Sequence, residues 1–483
     1  MTTKRKMTAM LLALTLATGS LAACSSGNNT PPANNGGTTN GPAESGGSSD
    51  AKDTITALLP PVSPAYQENF KQMEEEFNKL YPNLTLKIEP ASWEDMTQKL
   101  DTQVNAGSPP DLAFIGSDGI SKYAQMDMLM DIKDLVTPEM VSDFDEAPLE
   151  YMKNGEGLYG FPAYMEVHAI GGNKQYMEEA GIDWKSVQQN GWTYDEFREA
   201  IKSGTVQQDG NTRYGFVFAT AGVASKDYLA ILVKNAGMPS PFTEDLKYAY
   251  TSKNYLDVLK AIRQMIDDGS MPKELSSVDA GKRWNMFLTG QTMITGKGLA
   301  VFENSANKNN EKLKAGDGSA VADSIEVDYI VLPMPSFGDH DPVSYAVVDG
   351  YVAFRGKKEP TDEHKANVVK AAYFLASGNV AATTNSDLFA AHITKSGREA
   401  AASIESNRNP DNIAAVDRML EHAAPARPDI PVELGAQAIK IENETVIPRL
   451  QALLAGEITP EVMYEDVKKA AIAAFGEEGV VQD

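Results

Sequence analysis

The chain has 483 residues, of which 42% are hydrophobic and 23% charged, and it carries a formal net charge of −24. A polyanion of this size is repelled by phosphate backbones, which argues against any nucleic-acid partner, and a single cysteine rules out an intramolecular disulfide. So long a body exceeds what one hydrophobic core serves and predicts two lobes.

The first element is a leader. Lys4, Arg5 and Lys6 precede an apolar run from Met10 to Ala17, and Leu21-Ala22-Ala23-Cys24 follows. A basic start, a short apolar stretch and small residues before a cut form the pattern of a secretory signal peptide. The run is shorter than the ~20 residues that span a bilayer. Its ending resembles a bacterial lipobox, which implies a signal peptide over 1–23 and a diacylglycerol, with palmitate-type chains, on Cys24 as the first mature residue. The protein would then be extracellular and anchored to the cell membrane. The competing reading is an ordinary signal peptide followed by a free thiol. From Ser25 to about Asp50 the residues are almost all Ser, Gly, Asn, Thr, Pro and Ala, so 24–52 reads as a flexible linker with a reach of about 30 Å.

In the body, Thr54–Leu59 reads as a strand, Pro60–Pro64 as a loop, and Ala65–Leu80 as a helix with Phe70, Met73, Phe77 and Leu80 at helical spacing. Leu84–Ile88 follows as a strand, Trp93–Val104 as a helix, and Leu112–Ile115 as an apolar strand of the kind buried in a parallel sheet. This alternation predicts an α/β fold, with ligands outside the carboxyl ends of the strands. The residues there are Pro60 to Tyr66 and Gly116-Ser117-Asp118. Asp127 to Glu146 is acidic but lacks the ligand spacing of a calcium loop, and reads as solvated surface. A second block begins with Gly157–Pro162 and a strand near Val167–Gly171. Thr193 and Glu196 make a capping box for a helix over Tyr194–Ile201. Helices follow at Leu256–Asp268 and Ala280–Leu288, strands at Gln291–Thr295, Val327–Leu332 and Tyr345–Phe354, and Pro460 opens a final helix.

Several of these segments form a series: Ala106–Leu112 with its Ser-Pro-Pro-Asp, Gly157–Pro162, Asn173-Lys174, Glu179-Ala180-Gly181, Trp192–Phe197, Phe287–Met293, Asp349-Gly350-Tyr351 and Leu453–Glu461. In that order, behind a lipobox, they resemble the extracellular solute-binding lipoproteins of ABC importers (family 1), in the branch of maltose- and multiple-sugar-binding proteins. The resemblance covers nearly all of the body. It implies an α/β, two-lobed periplasmic-binding-protein-like (type II) clamp with multiple hinge crossings, near Tyr164–His168, Val347–Gly350 and Asn407–Asn412. Lobe one would comprise 53–165 and 350–408, and lobe two 166–349 and 409–483. It further implies a monomer with no cofactor that captures a carbohydrate, an oligosaccharide, by lobe closure and delivers it to ABC transporter permease subunits.

A sugar offers hydroxyls and an apolar ring face, so its site needs carboxylates or amides and aromatic rings. Ser117 and Asp118 after a strand end, and Glu166 at the first crossing, are the polar candidates; Asp118 and Glu166 also stand where the resemblance implies ligand-contacting acids. Asp118 could instead cap the following helix, and Glu166 could be a solvated hinge residue. Tyr66, Tyr164 and Tyr351 are aromatic candidates, and Asp349 at the second crossing could bind ligand or be structural. Where maltose-type relatives often carry a tryptophan, this chain has Lys297-Gly298-Leu299-Ala300-Val301-Phe302, which leaves Phe302 or Trp284 as substitutes; Trp284, three residues before Phe287, also suits a core. A second departure is Gly171-Gly172, where a tyrosine commonly precedes Asn-Lys.

No catalytic pattern emerges. The five histidines, at 168, 340, 364, 392 and 422, form no His-Glu-x-x-His, and no Gly-x-Ser-x-Gly occurs. No metal site is expected. A secreted lipoprotein glycoside hydrolase, working through paired carboxylates, is the enzymatic alternative.

Overall fold

The computed structural model describes residues 52–482, apart from positions 64, 209, 222 and 223. The signal peptide, Cys24 and the linker as far as residue 51 lie outside the described residues. Among the described residues eleven strands occur in the order β1 Asp53–Leu59, β2 Leu84–Pro90, β3 Leu112–Gly116, β4 Lys153–Asn154, β5 Gly157–Leu158, β6 Gly160–Asn173, β7 Val206–Gln208, β8 Asn211–Phe218, β9 Thr292–Gly298, β10 Tyr329–Leu332 and β11 Tyr345–Ala353. Nine join in one sheet ordered β2-β1-β3-β11-β6-β9-β8-β7, with β10 added on β6, while β4 and β5 pair separately.

The start of the body follows its sequence pattern. In β2, Leu84, Leu86 and Ile88 are buried while Thr85, Lys87 and Glu89 face out, the period of two of a half-buried strand. Helix Phe70–Leu80 buries Phe70, Met73 and Phe77. Leu80, expected on the same stripe, is 59% exposed; Tyr81 takes the last place, its ring 5.1 Å from that of Phe77. Helix Trp93–Ala106 begins where Ser92 Oγ accepts from Asp95 N–H and ends at Gly107, whose φ of 76° suits a residue without Cβ. The strand before it, β2, and β3 both run parallel to β1. Asp111 locks the start of β3 to β1, accepting from the Thr56 N–H at 2.7 Å and the Thr56 hydroxyl at 2.8 Å.

The capping box forms as expected: Thr193 Oγ1 accepts from Glu196 N–H, and Glu196 Oε2 accepts from Thr193 N–H at 2.7 Å. Such a cap is worth about 1 kcal/mol. Larger departures occur in β6, expected to cover only Val167–Gly171. It runs from Gly160 to Asn173, pairing first with β11 and then with β9 and β10. Pro162, which hides this strand in the sequence, lies opposite Gly350 where the β6–β11 register shifts, a place where a ladder tolerates a missing N–H. Gly171 and Gly172 both sit against filled space: a Cβ at 171 would lie 2.4 Å from the Tyr329 ring, and one at 172 would lie 2.8 Å from Met177 Sδ and 2.9 Å from Leu332 Cδ1.

Two large cores result. One gathers Ile55, Phe77, Leu100, Phe114, Phe161, Val352 and Leu375 around β1–β3, with helix Asp362–Ala376 packed on it. The other gathers Phe197, Phe216, Ile262, Ile294, Leu453 and Val467 around β8 and β9, with the C-terminal helices Ile447–Ala455 and Pro460–Phe475. Strand β6 contributes Phe161 and Tyr164 to the first and Ile170 to the second. No described helix is long and apolar enough to cross a membrane.

Candidate functional site

Strands β6 and β11 form an antiparallel ribbon between the two cores, with Tyr345 opposite His168, Val347 opposite Glu166, and Asp349 opposite Tyr164. Successive side chains in a strand alternate between faces, so these six share one face. On that face lies a cavity of about 260 Å³, close to the ~300 Å³ lower end for small-molecule sites. Tyr345, Val347 and Asp349 line it from β11; Ser117 and Asp118 do so from the turn that follows β3, and Glu442 from the C-terminal helices. Opening at the carboxyl end of β3, it sits where an open α/β sheet places its ligands.

Asp118 is the more exposed of the wall carboxylates Asp118 and Glu442. Its side chain is 54% exposed and accepts from Lys226 Nζ at 2.9 Å; Lys226, in the first turn of helix Ala224–Lys234, also lies 3.5 Å from Glu442. The Lys226 ammonium holds the Asp118 carboxyl below the usual carboxylate range, and Asp118 in return holds Lys226 well above the usual lysine range. Burial pushes the Glu442 carboxyl up, with Lys226 opposing. Lys234, at the end of the same helix, lines the cavity with its ammonium 4.8 Å from the Tyr345 ring centre and 2.5 Å from Pro239 O; burial lowers it to about 8.

The rest of this ribbon face is acidic and largely buried. Glu166 is 7% exposed with no hydrogen-bond partner for Oε1, and burial pushes it up to about 7, opposed by Lys297 and reinforced by Asp349. Asp349 accepts from the Tyr164 hydroxyl, yet burial still pushes it up to about 6. His168 packs edge-on against Tyr345 at 5.1 Å, and burial, helped by Lys297, keeps it neutral by lowering it well below the usual histidine value. Lys297 is itself paired with Asp227 at 3.0 Å.

The structure therefore brings Ser117, Asp118 and Asp349 to the cavity, while Tyr164 and Glu166 share the ribbon face with Asp349 but do not line the cavity. Tyr66 and Tyr351 go elsewhere. Each is 1% exposed in the core around β1–β3, and their hydroxyls bond to each other, which satisfies two buried polar groups at once. Trp284 and Phe302 are not in the cavity wall either. They stack on each other at 4.8 Å, with Phe287 also stacked on Trp284 at 5.4 Å and the Arg283 guanidinium over Phe302. The i, i+3 spacing of Trp284 and Phe287 is the signal of that packing. Lys226, Lys234, Glu442 and Tyr345 were not anticipated. Only Tyr345 had a readable signal, its two-residue period with Val347 and Asp349.

Among the described residues no group of three or more His, Cys, Asp or Glu is placed to hold a metal ion. What the site offers is a set of hydrogen-bonding acceptors and donors beside aromatic rings, with its charges largely paired. That chemistry suits a polar, uncharged solute.

Residues 57–377 match the family model of the bacterial extracellular solute-binding protein. A binding protein of Brucella abortus is 26% identical over 330 residues, which is 67% of this chain and 72% of that protein. An arabinooligosaccharide-binding protein of Halalkalibacterium halodurans is 28% identical over 204 residues, 41% of this chain and 42% of that one. Among solved structures, an ABC substrate-binding protein from Listeria monocytogenes in complex with cycloalternan superposes with a TM-score of 0.68 at 18% identity, covering 88% of this chain and 99% of its own. The fold is thus that of a two-lobed binding protein.

Proposed function

The chain belongs to the bacterial extracellular solute-binding proteins, and from that membership we propose that it is the substrate-binding component of an ABC importer for a carbohydrate, an oligosaccharide, tethered outside the cell through a lipidated Cys24. The observation that carries the ligand class is the half-exposed Asp118 carboxylate in a cavity whose ribbon wall presents the Tyr345 ring. A carboxylate accepts sugar hydroxyls and a ring covers the apolar sugar face. The names of the relatives support this class, because they include an arabinooligosaccharide-binding protein and a complex with cycloalternan.

The mechanism is closure. Lobe one is taken as 53–165 with 350–408 and lobe two as 166–349 with 409–483, a division supported by the two cores and by the passage of β6 and β11 between them. A ligand that touches both lobes favours the closed state by its differential contacts, and the permease subunits receive it from that state. The Lys226–Asp118 ion pair, which joins the β8–β9 side to the end of β3, is a contact within the protein that likewise spans the two lobes. The hydrolase alternative finds no support, since the named relatives are binding proteins.

The test is a thermal-shift and calorimetric panel of neutral oligosaccharides, run beside an assay for released reducing ends. A ligand at 100 times its dissociation constant adds about 2.7 kcal/mol of stability. Stabilisation without hydrolysis is the expected outcome; no shift with any saccharide would refute the carbohydrate reading, and product release would favour the hydrolase.

A further inference from the structure

Of the four tryptophans, Trp184 and Trp192 are buried and Trp284 is stacked, whereas Trp93 is 44% exposed. A single exposed apolar side chain needs no explanation by itself. Its place and its fixing are another matter. Strands β1, β2 and β3 are parallel, with Leu59 opposite Pro90, so their carboxyl ends share one edge. At that edge β3 leads into Ser117 and Asp118 in the cavity wall, and β2 leads through Ala91 and Ser92 into Trp93. Two strand spacings, roughly 10 Å, separate the end of β2 from the end of β3.

The indole is also held. Its N–H donates to Pro61 O at 3.1 Å in the loop leaving β1, and its ring meets Phe114 of β3 edge-on, centroids 6.0 Å apart at 75°. Phe114 in turn packs against Tyr164, whose hydroxyl is bonded to the cavity residue Asp349. A ring already fixed by neighbours loses little rotamer freedom on binding, which is the advantage of preorganisation.

We infer that Trp93 is a stacking platform for an additional sugar ring of an oligosaccharide that starts in the cavity beside Asp118 and runs along the strand ends of β3, β1 and β2. The inference rests on the carbohydrate reading above. It gives the chain an aromatic platform outside Lys297–Phe302, where the expected tryptophan is missing and the available rings stack on one another. It also makes affinity depend on ligand length, because a short saccharide held at Asp118 does not reach the indole.

The test is calorimetry on the full chain with one oligosaccharide series of increasing length, using wild type, Trp93→Ala and Trp93→Phe, together with acrylamide quenching of tryptophan fluorescence. Trp93→Ala should weaken the longer members by roughly threefold to tenfold, the factor a ring-stacking contact carries, and leave the shortest member unchanged. Trp93→Phe, which keeps a ring and loses the bond to Pro61, should retain most of the affinity. Quenching in wild type should fall on saturation with a long member, and in Trp93→Phe it should stay level. Equal affinities of wild type and Trp93→Ala at every length, or unchanged quenching at saturation, would overturn the platform while leaving carbohydrate binding intact. So would a Trp93→Phe as weak as Trp93→Ala, which assigns the residue to holding the Pro61 loop. If no saccharide of any length binds wild type, the carbohydrate reading fails and the platform with it.

Discussion

Glu166→Gln removes a buried titrating group from the ribbon between the lobes without changing its volume, and its effect should depend on pH in a calculable way. In the folded protein burial pushes the Glu166 carboxyl up to about 7 from an ordinary value of 4.5. The folded state therefore binds this proton more tightly than the unfolded chain does. Between about pH 4.5 and 7 it holds more protons than the unfolded state, so stability falls as pH rises, and the loss is complete above about 7. At 1.36 kcal/mol per pH unit the gap amounts to roughly 3 kcal/mol. Gln is neutral throughout and escapes this loss. Urea unfolding followed by circular dichroism, at intervals from acid to mildly alkaline pH, should find variant and wild type close together at the acid end. By pH ~8 the variant should be more stable by roughly 3 kcal/mol. Asp349 titrates in both proteins and cancels to first order in the difference. A difference that stays constant with pH would refute the view that Glu166 is held protonated by its dry surroundings.

Asp118→Ala should weaken binding of an identified saccharide about ten- to a hundredfold by calorimetry, since a hydrogen bond to a charged group is worth about 1.5–3 kcal/mol, while Glu75→Ala on an exposed helix face should change nothing. For His364, burial, which by itself lowers the imidazole, is outweighed by bonds to Asp111 and Asp53, so it titrates above its ordinary 6.5. The stability it supplies is present in full below about pH 6.5 and lost as pH rises through the raised value. The cost of His364→Ala should accordingly be larger at pH 6 than at pH 9 in denaturant titrations. Cys24→Ala should move the protein from the membrane fraction to the medium; an N-terminally anchored variant in membrane pellets would count against the lipobox.

Asp118 was readable as a candidate because it follows β3, and the ends of parallel strands are where ligands collect; Asp349 was readable from its place at the second crossing, although it lies inside the antiparallel strand β11. What could not be read is their company. Lys226 lies 108 residues from Asp118, and Tyr164 lies 185 residues from Asp349. No local spacing signals such pairs. Tyr66 and Tyr351 looked like cleft aromatics by position, but a phenol can be buried when another hydroxyl answers it, and each answers the other. Trp93 drew no notice as the first residue of a helix, because its exposure is a property of what does not pack over it.

The sequence by itself determined the local elements of this protein: the alternation of β2, the buried stripe of helix Phe70–Leu80, the Thr193–Glu196 capping box and the glycine that ends helix Trp93–Ala106. Each depends on residues within a turn or a strand pair, so a short window contains the physics. The tertiary structure decided the length of β6, which is set by partners from β9, β10 and β11 rather than by its own residues, with Pro162 accommodated at a bulge. It also decided which acids face the cavity paired with lysine and which are buried and pushed toward neutrality. Desolvation and charge pairing act through space, across chain separations that no periodicity records.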